Sequence, residues 1–171
     1  VYKRQIHYGG AYLDRVLIFR PHNVYGPDMG TEHVVPQFAL RMAQTFAEHP
    51  QDPAPFRLQG TGEETRAFVY IDDFIEGLLC VLERGQHLNT YHIGTDVETR
   101  IADLAHAVAA CFGRTIRLET GEAPAGGTPR RCPDIRKVAA LGYAPRISLA
   151  EGLARTVAWY RQSLSPSQES S

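Results

Sequence analysis

The 171-residue chain is 43% hydrophobic and 22% charged, the make-up of a globular domain with a core of its own. Its 18 basic and 19 acidic residues leave a net charge of −1, which removes the electrostatic case for nucleic acid or an anionic membrane as partner. No apolar run reaches membrane-span length, and Cys80, Cys111 and Cys132 lack metal-ligand spacing, so reduced thiols and a cytoplasmic location are expected.

The first residues do not read as the start of a protein. "VYKRQ" has no initiator Met, opens almost in mid-helix and matches one reading frame of the transposon end used for sequencing libraries. Residues 1–5 are therefore expected to be a non-native adapter scar on a gene fragment. Val16–Phe19, "VLIF", is a short apolar run stopped by charge and Pro21, the pattern of a fully buried strand. Pro27 and Gly30 bracket a loop, and "EHVVPQFALRMAQTFAE" predicts a helix with Pro36 in its first turn.

After the proline-rich "HPQDPAP", Phe56–Leu58 and Arg66–Ile71 are strand candidates flanking the turn-rich "QGTGEE". Asp72 or Asp73 is placed to cap a helix carrying Phe74, Leu78, Val81 and Leu82 on one face, with Gly85 as its stop. "TYHIG" predicts a strand; Ile101, Leu104, Ala105, Val108 and Phe112 then keep helical spacing up to Gly113. "TIRLE" is another strand, "GEAPAGGTP" an open loop, and Asp134 a cap for "IRKVAAL", which ends at Gly142. Ser148 and Glu151 form a capping box for a last helix with Leu149, Leu153, Val157 and Tyr160 on one face. Residues 165–171 are polar and expected to be a disordered tail. Strands and helices alternate throughout, which predicts an α/β fold. Neither "GTGEET" nor "PAGGTP" is a G-x-G-x-x-G opening a helix, so the dinucleotide fingerprint is missing, as is any P-loop.

The order of the motifs is more specific than any one of them. "RPHNVYGP" follows a strand and "EHVVPQF" lies on a helix. Then come "LQGTGEETRAFVYIDD", "YHIG" with "VETRIADLA", and "RRCPDIRKVAALGYAPRISLAEGLARTVAWY". Over Tyr8–Arg161 this series resembles the C-terminal half of the extended short-chain dehydrogenase/reductases, which include nucleotide-sugar epimerases, 4,6-dehydratases and decarboxylases. The resemblance implies the C-terminal part of an NAD(P)-binding Rossmann fold plus a small α/β substrate-binding lobe, together filling 6–164. Rossmann remnants are expected over about 11–30 and 72–95, and the substrate lobe over about 31–71 and 96–164.

The resemblance also implies site roles. Backbone at Pro21 and His22 would lie beside the nicotinamide of NAD, with NADP as the alternative cofactor. Asn23 would reach the sugar or diphosphate of a nucleotide-sugar substrate, and His33 and the Val34 backbone would also contact it. Leu58 and Gln59 would line the nucleoside base, although relatives commonly carry an aromatic where Gln59 stands. Arg66 and Arg131 would bind the diphosphate, whose oxygens suit bidentate guanidinium forks. The implied reaction is transient oxidation of the sugar at C4, with NAD supplying the redox chemistry. The family's Tyr-x-x-x-Lys base pair is not in this sequence, so no catalytic residue is assigned to this chain. The parent is expected to be a homodimer formed through segments upstream of it.

Each residue also has a plainer reading. Asn23 before Tyr-Gly-Pro suits a turn, Arg66 a solvated strand end, and His33 a helix start. Arg130 competes with Arg131 for the second diphosphate contact. His92 reads as a structural strand residue and Trp159 as core or interface. Two other functions stay open: a reductase or dehydrogenase of a non-nucleotide substrate on this scaffold, and a non-catalytic binding relative.

Overall fold

The structure is a computed structural model that describes residues 2–122 and 126–164. The expected tail over 165–171 and the centre of the "GEAPAGGTP" loop lie outside the described residues. In chain order the elements are α1 (Tyr2–Tyr12), β1 (Leu17–Pro21), β2 (Val24–Tyr25), α2 (Val34–Glu48), β3 (Ala54–Arg57), β4 (Thr65–Ala67), β5 (Val69–Tyr70) and α3 (Ile71–Arg84). They continue with β6 (Asn89–Ile93), β7 (Glu98–Arg100), α4 (Ile101–Cys111), β8 (Ile116–Glu119), β9 (Arg130–Arg131), α5 (Arg136–Ala139) and α6 (Leu149–Leu164). The fold is α/β with parallel strand pairs, as the alternation predicts.

Contacts divide the chain into two compact units. The first comprises Val1–Val24, Ala67–Val97 and Cys132–Ile147; the second comprises Tyr25–Arg66, Glu98–Arg131 and Ser148–Ser171. These bounds differ from the expected ones. Cys132–Ile147 packs with the first unit because Ile135, Val138 and Tyr143 join Val81, Tyr91 and Ile93 in its core.

In the first unit β1 and β6 run parallel, from Leu17 opposite Asn89 to Pro21 opposite Ile93, with α3 and α5 packed against β6. The expected full burial of β1 is not observed: Ile18 is buried, but Phe19 is 42% exposed. Among the described residues β1 pairs only with β6, so its other edge has no strand partner. Ile75, Leu79 and Leu82 on α3 are likewise exposed. Leu82 therefore leaves the expected inner face, one helical step from the fully buried Val81. Tyr2–Gln5, set apart in the sequence as a scar, form the opening of α1. Gly9 lets α1 approach the strand that follows, since a Cβ there would sit 2.8 Å from Val16 Cγ2.

Two expectations near α3 change. The Arg66–Ile71 strand splits into β4 and β5, and Ile71 already opens the helix. Neither Asp caps α3: its N-cap is Tyr70, without a side-chain bond. Asp73 is buried instead and accepts from the N–H groups of Arg146 at 3.0 Å and Ile147 at 2.9 Å. Asp134 stands one residue outside the cap of α5, Ile135, yet its carboxylate accepts from the Arg136 N–H at 3.0 Å.

In the second unit α2, α4 and α6 pack together, and β3 and β8 run parallel from Ala54 opposite Ile116 to Arg57 opposite Glu119. Val35, Phe38, Met42, Phe56, Leu104, Val108, Leu153 and Val157 fill the core, with the Phe38 and Phe56 rings edge to face at 5.4 Å. The apolar periodicities of α2, α4 and α6 thus face inward as their spacing predicts. Ser148 Oγ accepts from the Glu151 N–H at 3.2 Å, the capping bond expected for α6. β4 lies between β7 and β9, and that small sheet carries the arginines described next.

Candidate functional site

Within the first unit, the chain turns sharply after β1. The His22 N–H donates to the Ile93 carbonyl at 3.1 Å, which extends the β1–β6 pairing by one residue. Asn23 then adopts φ 40, in the left-handed region that Asn tolerates better than most residues. Its Nδ2 donates to the Ala67 carbonyl at 2.9 Å, and its own carbonyl accepts from the Val69 N–H at 3.3 Å. The turn reading of Asn23 is therefore fulfilled in the structure. A primary amide carries two N–H donors and an acceptor oxygen, so one anchoring bond leaves chemistry for a ligand. Proline brings no N–H to Pro21 and that of His22 is bonded, so this turn offers a ligand carbonyl acceptors. A carboxamide NH2 group is the matching donor.

His22 Nε2 and His92 Nδ1 lie 2.6 Å apart, a single hydrogen bond in which one nitrogen donates and the other accepts. His92, a plain strand residue in the sequence, is thus the partner of a candidate site residue. Burial, then the nearby His92, then Arg20 hold the His22 pKa below its ordinary value of 6.5. Asp134, held down to about 2 chiefly by its bond to Arg136, adds a negative charge on the His92 side. The native state consequently resists protonation of His22 more than the unfolded chain does. Its stabilising contribution is complete above the unfolded pKa of 6.5 and is lost as pH falls through the folded value. Urea unfolding is expected to show a lower midpoint at about pH 5 than at about pH 7.5, and His92→Gln to narrow that difference. A midpoint that rises on acidification contradicts this assignment.

Within the second unit, a cleft of about 460 Å³ opens beside the end of β3. Arg41, Arg57, Leu58, Gln59, Gly60, Gly121 and Glu122 line it. The Leu58 N–H donates to Glu119 and the Gly121 N–H to Gly60, each at 2.9 Å, tying its two walls together. Leu58 is buried as part of the wall, whereas Gln59 is exposed. Arg41 is fixed by a 2.5 Å bond to the Arg57 carbonyl and by its guanidinium lying 4.6 Å from the centre of the Phe56 ring. The following turn needs glycine at 62, where φ is 82 and a Cβ would crowd Leu58 and Ala102 at 3.1 Å.

That turn delivers Arg66, which stands opposite Arg131 in the parallel pairing of β4 and β9. Arg66 donates to the carbonyls of Thr65 at 2.7 Å and Thr128 at 2.8 Å, and Arg131 reaches Thr128 Oγ1 at 3.5 Å. Burial and then the positive charge of Arg131 push the Arg66 pKa down, with Glu64 opposing. Arg130 is turned to Glu98 instead, in a 2.6 Å ion pair. His33 is the N-cap of α2 without a side-chain cap bond, and Val34 is the first residue of that helix. Neither lines the cleft. Arg41, Gly121, Glu122 and the Thr128 carbonyl carry no local sequence signal, because folding alone brings them to this place.

The model of the NAD dependent epimerase/dehydratase family matches residues 2–94, more than half of the chain. The chain belongs to that family. Among curated relatives it is 31% identical over 144 residues to GDP-L-fucose synthase 1 of Arabidopsis thaliana, covering 82% of this chain and 44% of that protein. UDP-glucuronic acid decarboxylase 1 of the same plant is 34% identical over 149 residues, covering 85% and 32%. Among solved structures, the UDP-glucose 4-epimerase of Thermotoga maritima with UDP-glucose superposes with a TM-score of 0.82 at 26% identity, covering 95% of this chain and 51% of that one. The dTDP-glucose 4,6-dehydratase of Streptomyces venezuelae with NAD and TYD gives 0.78 at 30%, covering 94% and 48%. The chain therefore spans about half or less of the length of these relatives. Family membership fits the α/β fold with its parallel strands. Among the described residues no helix is long and apolar enough to cross a membrane.

Proposed function

We propose that this chain supplies the sugar-nucleotide site, and the nicotinamide edge of the cofactor site, of an NAD-dependent nucleotide-sugar epimerase or dehydratase. The observation that carries the reading is the pair Arg66 and Arg131, facing each other on adjacent strands. Two guanidinium groups in register, one of them half-buried, repel each other unless an anion lies with them. A diphosphate meets that need with its charges and with oxygens suited to guanidinium forks. Leu58 and Gln59, eight and seven residues before Arg66, line the cleft that takes the base.

The non-nucleotide substrate reading is not favoured, since such a substrate brings no diphosphate to the arginines. Asn23, in the first unit, is proposed for the sugar, and His33 and Val34 for further substrate contacts. The carbonyl-rich turn at Pro21 and His22 fits a nicotinamide carboxamide. NAD, with NADP as the alternative, supplies hydride exchange at the sugar C4 when bound. What this chain adds is binding and orientation. Binding energy from the remote diphosphate holds the sugar where the chemistry takes place. Cys80, Cys111 and Cys132, none of them in a disulfide among the described residues, support the cytoplasm as its compartment.

Calorimetric titration of the 171-residue chain with UDP, GDP and dTDP tests the reading. Arg131→Ala, at an exposed position, is expected to weaken the best-bound nucleotide about tenfold or more without lowering the thermal midpoint. Arg66→Ala is expected to weaken it at least as much, and Arg66→Lys to restore only part of the loss. Nucleoside diphosphate affinity untouched by both alanine variants would falsify the diphosphate assignment.

A further inference from the structure

The cleft beside β3 has an unusual lining for a base site: two arginines, one glutamate and one glutamine around a single buried leucine. We propose that this cleft selects guanine and that Glu122 is the residue that reads it. The inference rests on the reading above, in which the cleft takes the base of a nucleotide sugar.

The donor and acceptor pattern of each base decides the choice. Guanine presents N1–H and the N2 amino group side by side, two donors spaced to meet the two oxygens of one carboxylate. Uracil and thymine present a single N3–H between two carbonyl oxygens. A carboxylate facing that edge gains one bond and meets repulsion on both sides. Adenine sets an acceptor, N1, beside its amino group, and loses one bond to repulsion in the same way. Glu122 is thus matched to guanine and mismatched to the other three.

The adjoining Hoogsteen edge of guanine carries the acceptors O6 and N7, which take a guanidinium bidentately. Arg57, exposed at the end of β3, is the guanidinium on the cleft wall suited to that role. Arg41 is held by Phe56 and the Arg57 carbonyl, so it presents a fixed cationic plane instead of a mobile charge. The backbone bonds from Leu58 to Glu119 and from Gly121 to Gly60 set the spacing between the Gln59 and Glu122 walls. A cleft of about 460 Å³ accommodates a purine nucleoside as readily as a pyrimidine one, so size does not decide between them. Charge pattern does.

The test uses the 171-residue chain with free GDP, IDP, UDP and dTDP in calorimetric titrations at fixed ionic strength. GDP is expected to bind about tenfold or more tightly than UDP and dTDP, with IDP, which lacks only the 2-amino group, in between. Glu122→Gln, at an exposed position, keeps the size but places an amide NH2 against a guanine donor. It is expected to bring GDP to within about threefold of IDP and UDP. UDP or dTDP binding as tightly as GDP overturns the guanine assignment, and Arg131-dependent affinity in that case leaves the diphosphate reading standing. A preference for GDP that survives Glu122→Gln overturns the role of Glu122. No binding of any of the four nucleotides overturns this inference and the reading it rests on together.

Discussion

Asp73→Ala is expected to lower the unfolding free energy by about 3 kcal/mol, read as a large drop in the urea midpoint. The carboxylate is 5% exposed and its two oxygens each accept one backbone N–H, from Arg146 and Ile147. Both donors belong to a loop more than 70 residues further along the chain, so no local conformation can replace the lost acceptors. Leaving a buried N–H without a partner costs about 1–3 kcal/mol, whereas adding a methyl-sized gap costs less. The hydrogen-bond effect therefore dominates. Asp73 also sits in the first turn of α3, where negative charge complements the helix dipole by some tenths of a kcal/mol. Asp73→Asn keeps one carbonyl acceptor and is expected to fall between the native chain and the alanine variant. If both substitutions leave the midpoint unchanged, the two backbone bonds do not form in solution.

The same residue marks the limit of what the sequence reveals. "YIDD" before an apolar helical stretch reads as a cap because capping is a local event, and local patterns are all that spacing encodes. The partners of Asp73 lie on a loop whose approach depends on α5 packing against β6, a long-range fact. The helices α2, α4 and α6 were legible because an amphipathic face is a local signature of burial. β1 was misread for the converse reason. An apolar strand looks fully buried in sequence, but its burial depends on which neighbours lie on each side.

The candidate site divides along the same line. Arg66 and Leu58 with Gln59 were singled out by the order of motifs that resembles the extended short-chain dehydrogenase/reductases, and they flank one turn, "QGTGEET", whose glycines at 60 and 62 have positive φ. The choice between Arg130 and Arg131 could not be read from "RRCPDI". On a strand, adjacent residues point to opposite sides, and which side faces Arg66 is fixed only by the register of β9 against β4. Arg130 meets Glu98 on the strand at the other edge of that sheet, which leaves Arg131 beside Arg66. Glu122 had no signal at all. Its place in the cleft follows from the pairing of β3 with β8, in which Ala54 stands opposite Ile116, 62 residues further along the chain.

Gly77→Ala sets two effects of known size against each other. Alanine is favoured over glycine inside a helix by about 1 kcal/mol, and Gly77 lies in the middle of α3, so propensity alone predicts stabilisation. Against this, a Cβ at 77 would lie 2.6 Å from Ile93 Cγ2 and 3.0 Å from Tyr143 Cε2. Ile93 is fully buried on β6, and its β-branched side chain has little rotamer freedom with which to withdraw. Overpacking of this kind costs about 1–3 kcal/mol, and contact at 2.6 Å belongs to the upper end of that range. A net destabilisation of about 2 kcal/mol is expected in urea unfolding. The displaced groups lead toward the turn after β1. Tyr143 donates to the Gly94 carbonyl at 2.8 Å, and Gly94 packs against the His22 side chain, where a Cβ would come within 3.1 Å of His22 Cβ. Pushing Tyr143 therefore disturbs the hydrogen-bonded pair of His22 and His92, and the His22 imidazole resonances are expected to titrate at a pH nearer 6.5 in the variant. A Gly77→Ala chain that is more stable than the native one, with His22 unchanged, would show that α3 stands further from β6 than these distances state.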